Sequence, residues 1–273
     1  MNLEAGKAMR LGVIGCGKMG RALLEGILEK GVAERAAVVV HDAFPEAAAA
    51  FGEDLGVAVS RSNREVVEAS DVVLLCVKPQ GFAEMMGEIE GTAGSLLISI
   101  AAGITLTAIE TQCQRKHRVI RVMPNTPSLV GRGAAGFALG QDATDADGDL
   151  ARGLLEAVGY AVEVNEDQLD AVTAISGSGP AYIFLMIESI VTAGVRQGLS
   201  ADVAQALAVE TVAGAAELVK ATGESPSQLR ENVTSPNGTT FAALESFRND
   251  HFPDVIDRAV AAAADRSREL GRG

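Results

Sequence analysis

The stretch Leu11-Gly12-Val13-Ile14-Gly15-Cys16-Gly17-Lys18-Met19-Gly20 decides the fold of this chain. Its first four residues are mostly apolar and include two β-branched side chains, which favours a strand. The next six follow the pattern G-x-G-x-x-G, and residues 18–30 then have the pattern of a helix that Gly31 ends. A strand, a glycine turn and a helix in this order are typical of a dinucleotide-binding unit. We therefore predict that a dinucleotide pyrophosphate binds to Gly15, Cys16, Gly17, Lys18, Met19 and Gly20.

Each glycine of this turn has its own predicted task. Gly15 makes the tight turn, Gly17 lets the backbone approach the pyrophosphate, and Gly20 lets the helix pack closely on the strand. A glycine-rich turn without any ligand is the alternative interpretation. The overlapping pattern Gly12-x4-Gly17-Lys18 is similar to a P-loop, but Met19 stands where Ser or Thr must hold Mg²⁺, which excludes that site.

An acidic residue follows the second predicted strand. Asp42 lies 22 residues after the last glycine of the turn. A carboxylate there accepts hydrogen bonds from the adenosine ribose and repels a 2′-phosphate, so Asp42 favours NADH over NADPH. The alternative is a solvated turn residue ahead of Pro45, because aspartate is common in turns.

The first part of the chain alternates between strand-like and helix-like segments. Strands are predicted at residues 11–14, 37–41, 57–60, 71–77, 95–101 and 118–123, and near 134–139 and 161–164. Helices are predicted at 18–30, 45–52, 63–69, 80–90, 105–111 and 146–158. This order predicts an α/β fold, with an N-terminal Rossmann-type doubly wound sheet in a dinucleotide-binding domain over residues 1–166.

The strand pattern ends after Glu166. Helices are predicted at 167–175, 180–197, 200–222, 226–233, 239–248 and 253–270, which gives a second, all-α domain over residues 167–273. The helix at 180–197 is apolar almost all round and needs cover on every side, so we predict a homodimer through this domain. Glu188, Arg196 and Gln197 interrupt its apolar run, which favours a buried helix over a membrane span.

Composition excludes several classes of protein. With 48% hydrophobic and 22% charged residues, the 273-residue chain has the chemistry of a globular protein and not of a disordered one. The net charge of −13 is spread over both predicted domains, so no basic face is expected for nucleic acid or an anionic membrane. Three cysteines without C-x-x-C spacing, and no signal-peptide pattern, predict a reducing, cytoplasmic location.

Further motifs together resemble a known family. They are Val77-Lys78-Pro79, Met123-Pro124-Asn125-Thr126-Pro127, Asp170-Ala171-Val172-Thr173, Ser176-Gly177-Ser178-Gly179-Pro180-Ala181-Tyr182 and Asn232-Val233-Thr234-Ser235-Pro236-Asn237-Gly238-Thr239-Thr240. In order and spacing they look like those of pyrroline-5-carboxylate reductases, over nearly the whole chain. The resemblance implies hydride transfer from NADPH or NADH to the C=N carbon of 1-pyrroline-5-carboxylate, which gives L-proline in the last step of proline biosynthesis. It also implies a helical dimerisation domain and dimers that assemble further, commonly into decamers.

The resemblance also implies roles for individual residues. Thr240 corresponds to the family threonine whose hydroxyl hydrogen-bonds the ring nitrogen, which makes it the catalytic candidate. Glu166, Gly238 and Thr239, together with Thr240, correspond to substrate-binding positions. Beyond the glycine turn and Asp42, the implied cofactor-binding positions are Asn63, Val77, Lys78, Ala102 and Asn232.

The same residues also have plain structural interpretations. Thr239 and Thr240 would cap the helix that they open, and Asn63 would cap a helix that starts at Arg64-Glu65. Lys78 would be a solvated charge, and the two prolines around Asn125 would only shape the floor of the cleft. Asn237 stands where the family more often has glycine, but Asn tolerates the left-handed backbone that the turn needs. His41 and Asp42 stand where many members carry residues that suit NADP.

Other functions stay open at this point. A reductase of the same architecture could act on another cyclic imine, such as the six-membered homologue. A β-hydroxyacid dehydrogenase needs a lysine that the start of the long helix lacks, and a regulatory protein without turnover would need a damaged substrate loop. The pair Cys113 and His117 has no second ligand pair, and Ser178 is not in a nucleophile elbow, so we expect neither a metal nor a covalent intermediate.

Overall fold

The structure is a computed structural model that describes residues 9–271. The contacts divide the chain into two compact units. The first unit holds the chain up to Ser178 and again from Ala263 onward, and the second unit holds Gly179–Ala262. The domain boundary between residues 166 and 167 stays a prediction.

The first unit is built on one eight-stranded sheet. The strands are β1 (Leu11–Ile14), β2 (Val38–His41), β3 (Ala58–Val59), β4 (Val72–Leu75), β5 (Leu96–Ser99), β6 (Arg118–Met123), β7 (Gly133–Leu139) and β8 (Gly159–Glu163). Their order across the sheet is β3-β2-β1-β4-β5-β6-β7-β8. The strands β1 to β6 are mutually parallel, β7 is antiparallel to β6, and β8 is parallel to β7. Every residue of β1, β4 and β5 is buried, as expected for strands covered on both faces.

Helices lie between most of these strands, and one more helix follows the last strand. They are α1 (Lys18–Glu29), α2 (Pro45–Leu55), α3 (Asn63–Ala69), α4 (Pro79–Glu88), α5 (Leu106–Gln112), α6 (Asp145–Glu156) and α7 (Leu169–Val172). Two apolar clusters fill the spaces between helices and sheet, one on each face. The chain runs outward from β1 to β3 and then returns to β4, next to β1. In such open sheets the ligand binds at this switch point, beyond the carboxyl ends of the strands.

The remaining helices are α8 (Gly179–Arg196), α9 (Ala201–Thr222), α10 (Pro226–Asn232), α11 (Thr239–Asn249) and α12 (Phe252–Leu270). The structure confirms the predicted fold class, a Rossmann-type doubly wound sheet followed by a helical region. In the described residues no strand follows Glu163. The end of α12 belongs to the first unit, where Ser267 Oγ donates a hydrogen bond to Asp170 Oδ1 at 2.6 Å.

One predicted helix differs in the structure. Residues 167–175 were expected to form one α-helix, but a 3₁₀ turn (Glu166–Gln168), α7 and a π-helical turn (Thr173–Gly177) follow one another. The wider turn arises because the Ser178 N–H bonds to the Thr173 carbonyl, five residues earlier, at 2.8 Å. Asn125 Nδ2 also donates a hydrogen bond to the Ser176 carbonyl of this turn at 3.0 Å.

The long apolar helix is not covered within this chain. None of the residues of α8 is buried, and large side chains such as Phe184 and Leu185 are 59% and 64% exposed. By length and composition alone, the helical stretch Glu166–Arg196 could span a membrane, and it is the only such stretch in residues 9–271. A partner that buries α8 on every side, as the sequence predicts, would therefore have to come from outside the single chain.

Candidate active site

The glycine turn after β1 has the geometry that its sequence predicts. Gly15 has φ +103°, and a Cβ there would lie 2.7 Å from the backbone of Cys76. A Cβ on Gly20 would lie 2.3 Å from the Gly15 carbonyl oxygen, so only glycine lets α1 start so close to β1. A Cβ on Gly17 would meet nothing within 4 Å. At Gly15 and Gly20 the surrounding protein leaves no space for a side chain, whereas Gly17 faces open space.

The start of α1 is free to hold an anion. Gly17 is the N-cap, and no side chain of the described residues caps it. The first-turn N–H groups of a 12-residue helix therefore point outward without partners, next to the exposed Lys18. Met19 is partly buried and packs against the core beneath the turn. This is the arrangement that binds phosphate groups in dinucleotide-binding folds.

The Asp42 carboxylate accepts a hydrogen bond from the backbone of the glycine turn. Its Oδ2 accepts a hydrogen bond from Cys16 N at 2.7 Å, and its Oδ1 accepts one from Phe44 N at 2.9 Å. Each carboxylate oxygen keeps further acceptor capacity, so Asp42 is held in place without being saturated. The fixed negative charge lies at the carboxyl end of β2, where the sequence predicts the adenosine ribose.

Asn63 does not cap its helix. Ser62 is the N-cap of α3, and its hydroxyl accepts the hydrogen bond from Glu65 N at 3.2 Å. Asn63 is the first helical residue and is only 6% exposed, with Nδ2 donating to Glu88 Oε2 at 2.7 Å. Its Oδ1 is buried and finds no donor in the described part of the chain. The capping interpretation of Asn63 is therefore wrong, and a buried acceptor there is left for another group.

The other predicted cofactor positions of the first unit follow neighbouring strands. Val77 is half-buried after β4, and Lys78 is exposed as the N-cap of α4. Ala102 is exposed in the loop between β5 and α5. Because β4 and β5 are parallel neighbours, these residues leave the sheet at the same edge as the glycine turn.

Glu166 follows β8, the last strand in the order of the sheet, but its side chain contacts residues near the carboxyl end of β5. Its Oε1 accepts a hydrogen bond from Leu106 N, the first residue of α5, at 2.7 Å. The same oxygen pairs with Arg121 Nη1 of β6 at 3.0 Å. The carboxylate is thereby brought close to the loop that carries Ala102.

Asn125 ties three parts of the first unit together. It is 7% exposed, its Oδ1 accepts a hydrogen bond from Ala134 N at 2.8 Å, and its Nδ2 donates to Ser176. Both ends of the amide are used inside the protein, so Asn125 holds the backbone after β6 in place.

The remaining predicted site residues lie in the second unit, around the segment that joins α10 to α11. Asn232 ends α10, where its side chain accepts from Gln228 Nε2 at 3.0 Å and donates to Glu224 Oε2 at 3.3 Å. The six residues that follow lead to α11. Asn237 has φ +57°, so it adopts the left-handed backbone expected of it.

Thr239 and Thr240 do not cap α11. Gly238 is the N-cap, and no described side chain makes a capping hydrogen bond there. The two threonines are the first helical residues, and within residues 9–271 their hydroxyls have no hydrogen-bond partner. The capping interpretation of this motif is therefore wrong. Both hydroxyls and the N–H groups of the first turn stay available.

The two thiols near the glycine turn have raised pKa values. Burial, together with the charge of Asp42, raises the pKa of the Cys16 thiol to about 12. Burial likewise raises the pKa of Cys76, behind the turn, to about 12. Both are protonated at neutral pH. In the described residues, no three His, Cys, Asp or Glu side chains could share a metal ion, and the absence of a metal stays a prediction.

Two functional contacts were missed from the sequence. Ser62 immediately precedes the predicted helix, so the usual capping preference could have found it. Arg121 lies inside the strand Arg118–Met123, between apolar neighbours, and a charge inside a buried strand signals a partner. Which partner it has could not be read from the sequence, because Glu166 lies 45 residues further along the chain.

Comparison with known proteins gives the family. Residues 166–270 match the family described as pyrroline-5-carboxylate reductase dimerisation, and residues 10–103 match the family described as NADP oxidoreductase coenzyme F420-dependent. The chain is 42% identical to pyrroline-5-carboxylate reductase of Pisum sativum, over 95% of both chains.

The chain belongs to the pyrroline-5-carboxylate reductase family.

Solved structures of pyrroline-5-carboxylate reductases share this fold. The protein from Coxiella burnetii is 35% identical, with a TM-score of 0.92 over 97% of this chain and 99% of the other. The pyrroline carboxylate reductase from Plasmodium falciparum, solved with NADP bound, is 31% identical, with a TM-score of 0.85 over 96% and 98%. Family members are NAD(P)H-dependent oxidoreductases that act on a C=N bond and form proline from 1-pyrroline-5-carboxylate.

Proposed function

We propose that this protein reduces 1-pyrroline-5-carboxylate to L-proline, the last step of proline biosynthesis, with NADH or NADPH as hydride donor. The observation that carries the proposal is the segment Ser235–Thr240. It retains the family motif and opens α11 with two threonine hydroxyls that the helix does not use. Membership of the family over nearly the full chain supports the same reaction.

The chemistry needs positioning more than reactive side chains. A protonated imine is already electrophilic, so a hydride can transfer once the two carbons are held close and aligned. A bound dinucleotide would supply the hydride that forms the new C–H bond, and the π electrons of C=N would become the lone pair of the amine nitrogen. This step needs no nucleophilic side chain of the protein.

The opening turn of α11 is proposed to hold the substrate. The substrate carboxylate binds the N–H groups of Gly238, Thr239 and Thr240, where the helix dipole favours an anion. The Thr240 hydroxyl forms a hydrogen bond with the ring nitrogen of the substrate and shares the proton that this nitrogen carries. Glu166 contributes a carboxylate to substrate binding.

The predicted cofactor residues take separate parts of the dinucleotide. Gly15, Cys16, Gly17, Lys18, Met19 and Gly20 surround the pyrophosphate. The buried, partnerless Oδ1 of Asn63 accepts a hydrogen bond from the adenosine half, and Val77, Lys78, Ala102 and Asn232 contact the rest of the dinucleotide. Asp42 receives the ribose hydroxyls and disfavours a 2′-phosphate, so NADH is the proposed preferred donor.

The helical domain is proposed to form a homodimer in the cytoplasm, with a decamer as the larger assembly. The exposed apolar side chains of α8 and the match to a dimerisation family support the dimer. No interaction with nucleic acid or membrane is proposed.

Initial rates of cofactor oxidation test the reaction. Wild-type protein is assayed with NADH and NADPH on 1-pyrroline-5-carboxylate and on its six-membered homologue. We expect faster turnover of the five-membered imine, with a higher kcat/KM for NADH. No turnover of either imine by a protein that still binds NADH would disprove the proposed function.

Thr240→Val tests the assigned hydroxyl. Loss of the hydrogen bond to the ring nitrogen is expected to lower kcat about 100-fold, within the range for one positioned proton donor. Thr239→Val is the matched control, because it removes the neighbouring hydroxyl but leaves the backbone N–H that is proposed to bind the substrate carboxylate, and it should retain most of the activity. Equal losses in both variants would contradict the role of Thr240.

A further inference from the structure

The carboxylate of Glu166 is held by only one of its two oxygens. Oε1 accepts both hydrogen bonds, from Leu106 N at 2.7 Å and from Arg121 Nη1 at 3.0 Å. Within residues 9–271, Oε2 has no hydrogen-bond partner. The group is therefore fixed in place while one of its oxygens stays available to a ligand.

The ion pair is partly removed from solvent. The side chain of Arg121 is 12% exposed and that of Glu166 is 31% exposed. An ordinary surface pair of this chain, Arg61 with Glu65, has exposed fractions of 89% and 38%. Such surface pairs contribute little, whereas a partly buried pair with a backbone N–H in addition holds its geometry.

The backbone holds Arg121 in a fixed place. It lies in β6, between β5 and β7, and is paired in register with Ser99, the last residue of β5. Leu106 begins α5 after the short loop that contains Ala102. Two of the three groups that meet here, Arg121 and Leu106, are thus fixed by the sheet and by the start of a helix.

We propose that Arg121 is a positioning residue for imine reduction, which holds the Glu166 carboxylate where its free oxygen stabilises the cationic, protonated imine. The inference rests on the proposed function. Because the hydride acceptor is a cation, a fixed carboxylate favours binding of the reactive form of the substrate. Arg121 itself touches neither the substrate nor the cofactor and acts through Glu166.

Steady-state kinetics of Arg121→Met, Arg121→Lys, Glu166→Gln and the double variant Arg121→Met/Glu166→Gln test this role. We expect Arg121→Met and Glu166→Gln each to raise KM for the imine roughly tenfold, with KM for NADH changed less than about twofold. Arg121→Lys should restore part of the loss, because lysine keeps the charge but not the geometry of the guanidinium. The double variant should be no worse than Glu166→Gln, since Arg121 acts through that carboxylate.

Arg118→Met is the matched control. Arg118 lies on the same strand and pairs with the buried Asp147 at 2.9 Å, but at the opposite end of the strand. Its loss should lower the melting temperature and leave KM for the imine unchanged. If Arg121→Met does not fold, Arg121→Lys and Glu166→Gln carry the same comparison.

Distinct results would overturn the inference. Losses that multiply in the double variant would show that Arg121 acts independently of Glu166. A wild-type enzyme that reduces the imine, with Glu166→Gln unchanged in KM, would overturn the inference and leave the proposed function intact. Wild-type protein without imine turnover would overturn both.

Discussion

Two glycines of the turn are needed for folding, whereas the third is predicted to be needed for cofactor binding. Gly15 and Gly20 face protein backbone, so a side chain there disturbs the fold itself. Gly17 has φ −75° and faces open space, so an L-residue is compatible with its backbone. The predicted need for glycine at this position therefore depends on the proposed pyrophosphate.

Gly17→Ala and Gly20→Ala should therefore fail in different ways. Gly17→Ala is expected to keep the melting temperature within about 2 °C while weakening NADH binding at least tenfold, because its Cβ occupies the space of the pyrophosphate. Gly20→Ala is expected to lower the melting temperature by about 5 °C or more, because of its contact with the Gly15 carbonyl. Thermal melts and NADH titration measure both. Unchanged NADH affinity in Gly17→Ala would contradict the pyrophosphate site.

Asp42→Asn tests the proposed preference for NADH. The amide keeps one oxygen for the Cys16 N–H, gives up the hydrogen bond from Phe44 N, and removes the charge that repels a 2′-phosphate. We expect the ratio of kcat/KM for NADH to that for NADPH to fall roughly tenfold, about 1.4 kcal/mol. Asp54→Asn, which removes an exposed charge paired with Arg21, is the control and should leave the ratio unchanged.

At the scale of elements, a buried histidine joins the end of α4 to the start of β6. His117 is 3% exposed, and its Nε2 lies 3.0 Å from Thr92 Oγ1. The Thr92 hydroxyl donates its hydrogen to the Ile89 carbonyl at 2.7 Å, so Nε2 of His117 is the donor to Thr92. Burial lowers the pKa of His117 below its ordinary value, which keeps the ring neutral in the folded protein.

This lowered pKa makes stability depend on pH. Below the ordinary histidine pKa of 6.5 the unfolded chain takes up a proton that the folded chain excludes, so the contribution of His117 is full above that value and is lost as the pH falls. His117→Gln should therefore lose less stability than wild type between pH 7 and pH 5. Urea unfolding at both pH values measures this, with the exposed His251→Gln as control. Parallel losses in wild type and His117→Gln would contradict it.

At the scale of the whole molecule, exposed apolar surface is the main feature of the second unit. Large side chains of α8 and α9 stay open to solvent in the single chain, among them Ile183, Phe184, Leu185, Ile190, Val195, Val203, Leu207, Val209 and Leu218. Patches of this kind mark interaction surfaces in soluble proteins. They fit the proposed homodimer.

Phe184→Asp should weaken that dimer. A charge placed in an apolar interface loses its hydration without a partner, so we expect a shift toward the monomer mass in sedimentation experiments. Val130→Asp is the control, since Val130 is 75% exposed but lies in the first unit. The same mass for wild type and Phe184→Asp would argue against α8 as the interface.

The sequence by itself determined the local structure of this protein. The glycine turn, the alternation of strands and helices and the change to helices alone depend on neighbouring residues, because backbone sterics, capping and apolar periodicity act over short separations. The left-handed backbone at Asn237 was predictable for the same reason. The motifs also identified the family, although the roles of individual site residues stay predictions.

Only the tertiary structure decided which distant groups meet. The reversed direction of β7, the engagement of Asn63 with Glu88 and the anchoring of Glu166 by Arg121 join residues that lie far apart along the chain. Glu166 bonds to Leu106, 60 positions away, through a backbone N–H, a group that every residue except proline carries. Such contacts follow from the packing of the sheet and its helices, and a sequence pattern does not say which distant partner a residue has.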